Sequence, residues 1–518
     1  MSKQYDVIVI GAGNGGLAAA ATCAKAGLST LLLERHNIPG GSASSFVRGR
    51  FEIEPSLHEL AGVGTKEEPG SMETMFSGWG ADVEWVKHDS TFRLIIPAKD
   101  GDKNTFINEN GVSVSLDARM PTGFENFAKK LDSIVPGSYD SCMAAFGLSQ
   151  KLFNAFDCLE DLSKLPSVIK DFPDAMRMAS YTLKEGLDAL GMPKKAQDIF
   201  CTYWCYMGVP ASQFDFLYYM CVLHSYVQHG TGIPRYRSHE MSLAIDKVIR
   251  ENGGEIWYNS EATKIIMKNG KPHGVEVNGE KIVYGKRFIC NSYPAVVFRD
   301  LFKETEVPKQ QIKMLNARKT AVSLTTVYLG MNVTKEELGI TDYSVFIAPD
   351  SDSDKQYECA KDFFSGYCII NCLNEIIPDC TPEGTCQLFL TTMTHGDVMK
   401  GIKPHDYKKF KTKVAEDMIE TCEKALGISI KPYIEEIEIA LPPTFARYLN
   451  TPWGTPYGYM LEKWDSMIPR TVQYAKDQPF DNFLFCGATQ ERGDGYGCAY
   501  YTGQKAAAIT IKAIREGK

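Results

Sequence analysis

Basic residues are the minority: 56 Lys and Arg stand against 64 Asp and Glu, a net charge of −8. That balance argues against a nucleic-acid partner and offers no attraction to anionic lipid. Long apolar runs are also missing. None approaches the roughly 20 residues that span a bilayer, and the longest candidate, Phe216–Val227, is interrupted by Tyr218, Tyr219, His224 and Ser225. No internal repeat and no low-complexity linker occurs. Among 15 cysteines there is no C-x-x-C pair, although Cys201 and Cys205, or Cys368 and Cys372, have the spacing of one helix face. The nine histidines are scattered and none has metal-ligand spacing, so no metal is expected. A catalytic triad and a paired-acid motif are absent as well. Met1–Asp6 runs directly into an apolar strand and leaves no room for a signal peptide. Together with cysteines read as reduced, mostly buried and structural, this points to the cytoplasm.

What is present begins at the first strand. At 518 residues two or more domains are expected. Tyr5–Ile10 reads as a buried parallel strand. Gly11, Gly13 and Gly16 turn it into a helix whose residues Leu17–Ala26 are mostly small, with Gly27 at its C-terminal end. Leu28–Leu33 reads as a second strand and ends at Glu34. Strand, G-x-G-x-x-G, helix, strand, acid is the dinucleotide fingerprint in its required context. Gly11 permits the tight turn, Gly13 lets a pyrophosphate approach the backbone, and Gly16 lets helix and strand pack closely. The helix N-terminus presents free N–H groups to phosphate, and Glu34 is placed to accept ribose hydroxyls.

Farther along, Gly40-Gly41 suggests a second close backbone approach, and Phe46–Glu54 a tight hairpin about Arg48 and Gly49. Residues 70–120 alternate strand-like pieces with turns, including a hairpin about Asn110-Gly111, and Pro121–Ile134 has helical spacing. Residues 140–230 are helical in pattern and rich in Met, Phe, Tyr, Leu and Cys. Large apolar residues on several faces need a core, a subunit, a lipid surface or a greasy substrate, with ordinary core the default. A helix over Ser238–Asn252 leads to strands Glu255–Tyr258 and Ala262–Met267, a hairpin about Asn278-Gly279 and a strand Lys286–Asn291. Strand signals follow at Ala321–Leu329, Ser344–Ile347, Gly366–Asn371 and Cys386–Thr392. Pro404–Leu426 reads as an amphipathic helix with the proline in its first turn, and Pro442–Tyr459 as an aromatic loop. Near the end, Phe483–Gly487 runs into a glycine-rich turn, Gly493–Gly497, and a small-residue helix: a second helix N-terminus suited to an acceptor-rich ligand.

These pieces together resemble a flavoprotein family containing phytoene desaturases, carotenoid cis–trans isomerases and retinol saturases, within the wider amine-oxidase-like FAD superfamily. The resemblance covers nearly the whole chain in the family's order. Gly11–Glu34 matches the ADP-binding motif, Gly40-Gly41 with Phe51-Glu52 the glycine doublet and its following segment, Ser238–Asn291 the helix and meander that contact adenine, Pro442–Tyr459 the return segment of the substrate domain, and Gly487–Gly503 the C-terminal flavin motif. It implies an α/β (α+β) fold. A Rossmann-like FAD-binding domain would be assembled from the discontinuous segments 1–70, 235–300 and 475–518. A substrate domain of mixed sheet and helix would comprise 71–234 and 301–474, its apolar helical part at about 140–230. FAD contacts are implied at Gly11, Gly13, Asn14, Gly15, Gly16, Glu34, Arg35, Gly40, Gly41, Ser42, Ala262, Gly487, Gly495, Tyr496, Gly497 and Cys498. Two departures stand out. Ala488 replaces the family's FAD-contacting acid, and Glu54-Pro55 replaces Gly-Pro. The second departure places Glu54 and His58 on a loop, either solvated in the ordinary way or near the flavin. With Tyr496 they are the catalytic candidates.

The resemblance further implies a long apolar substrate, such as a polyene, isoprenoid or fatty chain, and chemistry at a C–C or C=C unit. Desaturation or saturation is the first reading and a redox-neutral isomerisation using reduced FAD the close second. C–N oxidation, with a cage from Tyr496, Tyr500, Tyr501 and Trp453, and a non-catalytic prenyl binder are the remaining alternatives. Residues 200–227 are the candidate tunnel wall. Peripheral membrane contact and a homo-oligomer are compatible with the sequence.

Overall fold

The computed structural model describes residues 4–64, 67–159, 167, 170–178 and 180–517. One seven-stranded sheet carries the first strand, Gln4–Ile10, at its centre. Glu255–Trp257, Thr30–Leu33, Gln4–Ile10, Lys281–Cys290 and Phe483–Phe485 lie side by side and parallel. Lys271–Val277 and Ala262–Lys268 extend the sheet as an antiparallel meander. Alternation within the central strands loads both faces: Val7, Val9, Leu32 and Ile289 pack on one side, Ile8, Ile10, Leu31 and Phe288 on the other.

The helix Asn14–Lys25 crosses the first of these faces. Its residues from Asn14 to Ala21 are buried without exception, because it is covered in turn by the carboxy-terminal helix Tyr496–Arg515 and by Arg237–Glu251. Small residues make that stacking possible. A Cβ on Gly16 would fall on the carbonyl oxygen of Gly11, and one on Gly503 would fall on that of Gly15.

A second, eight-stranded sheet runs Ile434–Ala440, Ser323–Met331, Cys386–Thr394, Cys368–Cys372, Ser344–Ile347, Ser90–Pro97, Ser113–Pro121 and Phe106–Ile107. Its pairings are antiparallel except Val345–Ile347 with Arg93–Ile95. Tyr407–Leu426 covers one face through Val414, Met418, Ile419 and Cys422. Helices between Tyr139 and Gln228 cover the other, joining Phe146, Phe200, Trp204 and Tyr219 to Phe92, Leu94 and Met120 in the largest core cluster. Much of the Met- and Tyr-rich segment is therefore ordinary core.

Three local expectations change. Pro442–Leu449 is a helix, not a loop, because its two leading prolines occupy positions whose N–H groups would be orphaned anyway. The long amphipathic helix starts at Tyr407, so Pro404 precedes it in a turn. Cys368 and Cys372 lie on a central strand, where their spacing puts both on one face of a sheet rather than of a helix. Every cysteine with a described side chain is free, and all but Cys359 and Cys498 are buried. Among the described residues no helix is long and apolar enough to cross a membrane.

The small-residue contact predicts a graded response. Gly503→Val should lower the unfolding free energy by about 1–3 kcal/mol through overpacking. Gly147→Ala, on an exposed helix position with open space around its Cβ, should leave the thermal midpoint unchanged or slightly raised. Thermal melts of both variants check this; equal midpoints would contradict the packing argument.

Candidate functional site

The strand ends of the seven-stranded sheet open into one cavity of about 1490 Å³. That exceeds the roughly 300–1,000 Å³ of an ordinary small-molecule site. The cavity runs from the first glycine turn to the apolar helices of the second layer, and every part of its wall comes from a segment set by the fold.

At one end, Gly11, Gly13, Asn14 and Gly15 line it, with Glu34 and Arg35 from the second strand, Gly40, Gly41 and Ser42 from the following loop, and Ala262 from the meander. Gly11 holds φ +90° and leads into a helix whose N-terminus, at Gly13, has no side-chain cap. Its N–H groups thus remain available to a ligand. Glu34 is buried. One carboxylate oxygen accepts the Ala12 N–H at 2.7 Å and the other the His36 N–H at 2.7 Å. A carboxylate has about four acceptor sites, so capacity remains on the cavity side. The Arg35 guanidinium donates to the carbonyls of Arg447 and Tyr448 at 2.8 and 3.0 Å, tying the loop to the return segment.

Gly487, Gly495, Tyr496, Gly497 and Cys498 line the same cavity from the other end of the chain. The two glycine turns touch: a Cβ on Gly15 would lie 3.0 Å from the Gly487 nitrogen. Asn291, at the end of the strand Lys281–Cys290, is inserted between them. A Cβ on Gly13 would come within 2.6 Å of its Nδ2, and one on Gly15 within 2.6 Å of its Oδ1. Sequence reasoning missed Asn291. Its signal is position, the carboxyl end of a central parallel strand, where open α/β sheets place their ligands. Gly16 alone among the expected FAD contacts does not line the cavity; it serves helix packing.

The three catalytic candidates separate. Glu54 is 3% exposed and does not line the cavity. Its carboxylate accepts N–H groups from Ser238, Ser56 and Leu57 and the Ser238 hydroxyl, at 2.8, 3.3, 3.0 and 2.9 Å. It pins the 54–58 loop to the start of the helix Arg237–Glu251, neither solvated nor facing the cavity. His58 does line the cavity and is buried, not solvated. Its Nε2 lies 3.2 Å from Thr391 Oγ1 while Nδ1 has no partner, and burial lowers its pKa to about 4. It is a neutral imidazole near pH 7. Tyr496 lines the cavity with its hydroxyl donating to the Ser42 carbonyl at 2.9 Å, and burial raises its pKa far above the usual phenol value.

The apolar half of the wall comes from Tyr206, Met207, Tyr218, Cys221, Val222 and Tyr226, joined by Met393 and Tyr457. Residues 205–229 thus include both core and cavity wall. The imagined cage does not assemble: Tyr500 is core, edge-on to Phe76 and Trp79, and Trp453 is 47% exposed. Tyr501 lies on the wall beneath the Arg492 guanidinium. Two buried acids missed from sequence also face this half. Glu59 accepts the hydroxyls of Tyr203 and Tyr206 at 3.0 and 3.1 Å and lies 3.3 Å from His88 Nε2. Asp494 sits in the glycine turn. Among the described residues no cluster of three or more metal-ligating side chains occurs.

Comparison with known proteins agrees with this geometry. Residues 6–66 match a family model described as FAD dependent oxidoreductase. The chain is 25% identical over 479 residues to a chloroplastic prolycopene isomerase of Daucus carota, covering 89% of this chain and 72% of that protein. It is 22% identical over 485 residues to the all-trans-retinol 13,14-reductase of Homo sapiens, covering 88% and 77%. A crystal structure of an oxidoreductase from Methanosarcina mazei superposes with a TM-score of 0.64 at 17% identity, covering 97% of this chain and 99% of that one.

Two predictions test the wall. Gly13→Val, whose branched side chain must displace the Asn291 amide, should cut FAD occupancy at least tenfold in the purified protein, read from the visible flavin absorbance. Glu34→Ala should weaken retention less, since the glycine turn survives. Separately, His58 binds its proton more weakly in the folded chain than in the unfolded one, where its pKa is about 6.5. Its contribution to stability is therefore full above pH 6.5 and lost as pH falls toward 4, on the order of 3 kcal/mol in all. Denaturant titrations should show His58→Asn flattening the stability profile across that window; parallel profiles would refute it.

Proposed function

We propose that the chain is an FAD-dependent oxidoreductase that acts on C–C and C=C bonds of a long apolar substrate, a polyene or isoprenoid chain. The observation that carries this reading is the single cavity joining a dinucleotide cradle to a tyrosine-, methionine- and cysteine-lined wall. The cradle suits FAD. Asn14 Oδ1 is buried without a partner, Gly13 and Gly15 leave no space for a Cβ beside Asn291, and two uncapped helix N-termini, at Gly13 and Gly495, face the same space. Gly11, Gly13, Asn14 and Gly15 would hold the pyrophosphate, Glu34 the ribose, Ala262 the adenine, and Gly487 with Gly495–Cys498 the flavin end. FAD supplies hydride and electron transfer when bound.

The chain's own residues bind, orient and exclude water. Tyr206, Tyr218 and Tyr226 line the substrate space, and Met207 and Met393 add adaptable thioethers suited to a flexible chain. His58, neutral and buried, adds no charge to it. Isomerisation with no net redox change is the second reading, favoured by the likeness to prolycopene isomerase. Peripheral contact with a membrane, from which such a substrate would be drawn, and a cytoplasmic location belong to the same proposal.

Anaerobic incubation with dithionite-reduced FAD and either all-trans-retinol or prolycopene tests it. Saturation should consume one reduced flavin per product; isomerisation should leave the flavin reduced. Conversion of an amine instead, with no change in either polyene, would overturn the assignment.

A further inference from the structure

We propose that Asp494 is the proton donor to a C=C carbon of the substrate, and that the enzyme therefore adds hydrogen to, or isomerises, a double bond rather than desaturating a single one. This rests on the reading of the cavity as a site for C–C and C=C chemistry.

Three buried acids line the cavity: Glu34, Glu59 and Asp494. Glu34 belongs to the ribose end, and both its oxygens accept backbone N–H groups. Glu59 accepts two tyrosine hydroxyls on one oxygen and has its other, which accepts no hydrogen bond, 3.3 Å from His88 Nε2. Asp494 is 8% exposed, lines the cavity and accepts no hydrogen bond from another residue among those described. A buried carboxylate whose one hydrogen bond comes from its own backbone N–H is poorly compensated, and the ordinary outcome is that the group keeps its proton. Burial raises the Asp494 pKa well above the ordinary carboxyl value.

The surroundings reinforce that state. Tyr218 and Tyr226 from the helix Phe216–Gln228, Tyr457 from the return segment and Cys498 from the carboxy-terminal helix are the titratable groups whose electrostatics register Asp494. Burial raises the pKa of each, so each stays neutral. Arg492, two residues upstream, lies over the Tyr501 ring. The backbone also directs the group: Gly493 and Gly495 hold φ +65° and +99°, and the turn they make sets Asp494 two residues before Tyr496 at the cradle.

A neutral carboxyl facing an apolar substrate gives up a proton and does not accept one. In saturation the C=C π bond would break, one carbon receiving the hydride that reduced FAD would supply when bound, itself becoming oxidised, while its neighbour would take the Asp494 proton. The carboxylate then regains a proton from solvent. In isomerisation the proton adds, the former double bond rotates, and the proton returns to Asp494 with no electrons exchanged. Desaturation would need this group ionised beforehand, in a place that disfavours the charge.

The test uses the FAD-loaded protein and its Asp494→Asn and Asp494→Glu variants, with all-trans-retinol and prolycopene as probes. Asp494→Asn should keep its FAD and lose at least about 100-fold in conversion, the contribution of a positioned general acid. Asp494→Glu should recover part of it, and a saturated product formed in D2O should carry deuterium at the former double bond. Independently of turnover, infrared difference spectra of wild type against Asp494→Asn at pH 7 should show a protonated-carboxyl band that shifts when a probe binds. If the Asn variant loses FAD, the displaced band of Asp494→Glu makes the same comparison. Conversion by Asp494→Asn within about threefold of wild type, or absence of the acid band, or a band unmoved by either probe, would overturn the proposal. Should wild type convert neither probe, the functional reading fails, and the band's response to binding still decides Asp494.

Discussion

The rest of the structure depends on one close approach: the helix Asn14–Lys25 lies against the helix Tyr496–Arg515 with glycine at the contact. Because Gly15 and Gly503 carry no side chain, the two ends of the chain come within van der Waals reach, and Gly487 meets the first helical turn. Two positive helix ends then converge on one space. That convergence is unfavourable without an anion between them, and Asn291 only partly offsets it by placing an amide against Gly13, Gly15 and Gly487. A phosphate-bearing ligand completes the electrostatics, so the cofactor site follows from backbone geometry before any side chain is considered.

Glu54 shows how the neighbouring wall is held in place. Its carboxylate gathers the start of the helix Arg237–Glu251 and the 54–58 loop with four hydrogen bonds. Negative charge at a helix N-terminus is favourable. Arg237, at φ +66° in a backbone region that disfavours side chains, begins that helix and lies 3.8 Å from Glu52 on the strand that leads into the loop. The strain is sustained because Glu54 determines where Ser238 must be. His58 and Glu59, three and four residues beyond Pro55, inherit their places from this clamp.

How much could be read beforehand follows from how local each signal is. The glycine spacings, the apolar runs of the parallel strands and the hairpins at Gly49, Asn110-Gly111 and Asn278-Gly279 depend on neighbours within a few residues, and they appear where the pattern puts them. So do most cavity-lining residues of the two glycine turns. What escaped is long-range. Asn291 matters because of Gly13 and Gly487, about 280 and 200 positions away in a chain whose topology is not printed in its periodicity. Glu59 matters because of Tyr203, 144 positions distant. Glu54 looks like a loop acid until Ser238, 184 positions away, is laid beside it. The double proline at Pro442 misled for a different reason: it stops a helix in the interior and starts one at the N-terminus.

The cavity wall presents a last apparent contradiction, an apolar space built largely from tyrosine. It resolves when the hydroxyls are followed. Tyr206 and Tyr203 turn theirs to Glu59, Tyr203 also reaching the Thr91 carbonyl, Tyr457 to the Cys205 carbonyl, Tyr328 to that of Pro55 and Tyr218 to that of Arg492. Tyr206, Tyr218, Tyr328 and Tyr457 thus spend their polar ends on the scaffold while lining the cavity, and Tyr203 backs them from the core. Ring contacts at 5.0 Å between Tyr203 and Tyr206, and 4.5 Å between Tyr203 and Tyr226, lock these orientations. Leucine would make an equally greasy wall, but it could not be fixed at both ends. Tyrosine gives a surface that is apolar to a substrate and rigid to the protein. Such a wall excludes water from the space beside the glycine turns.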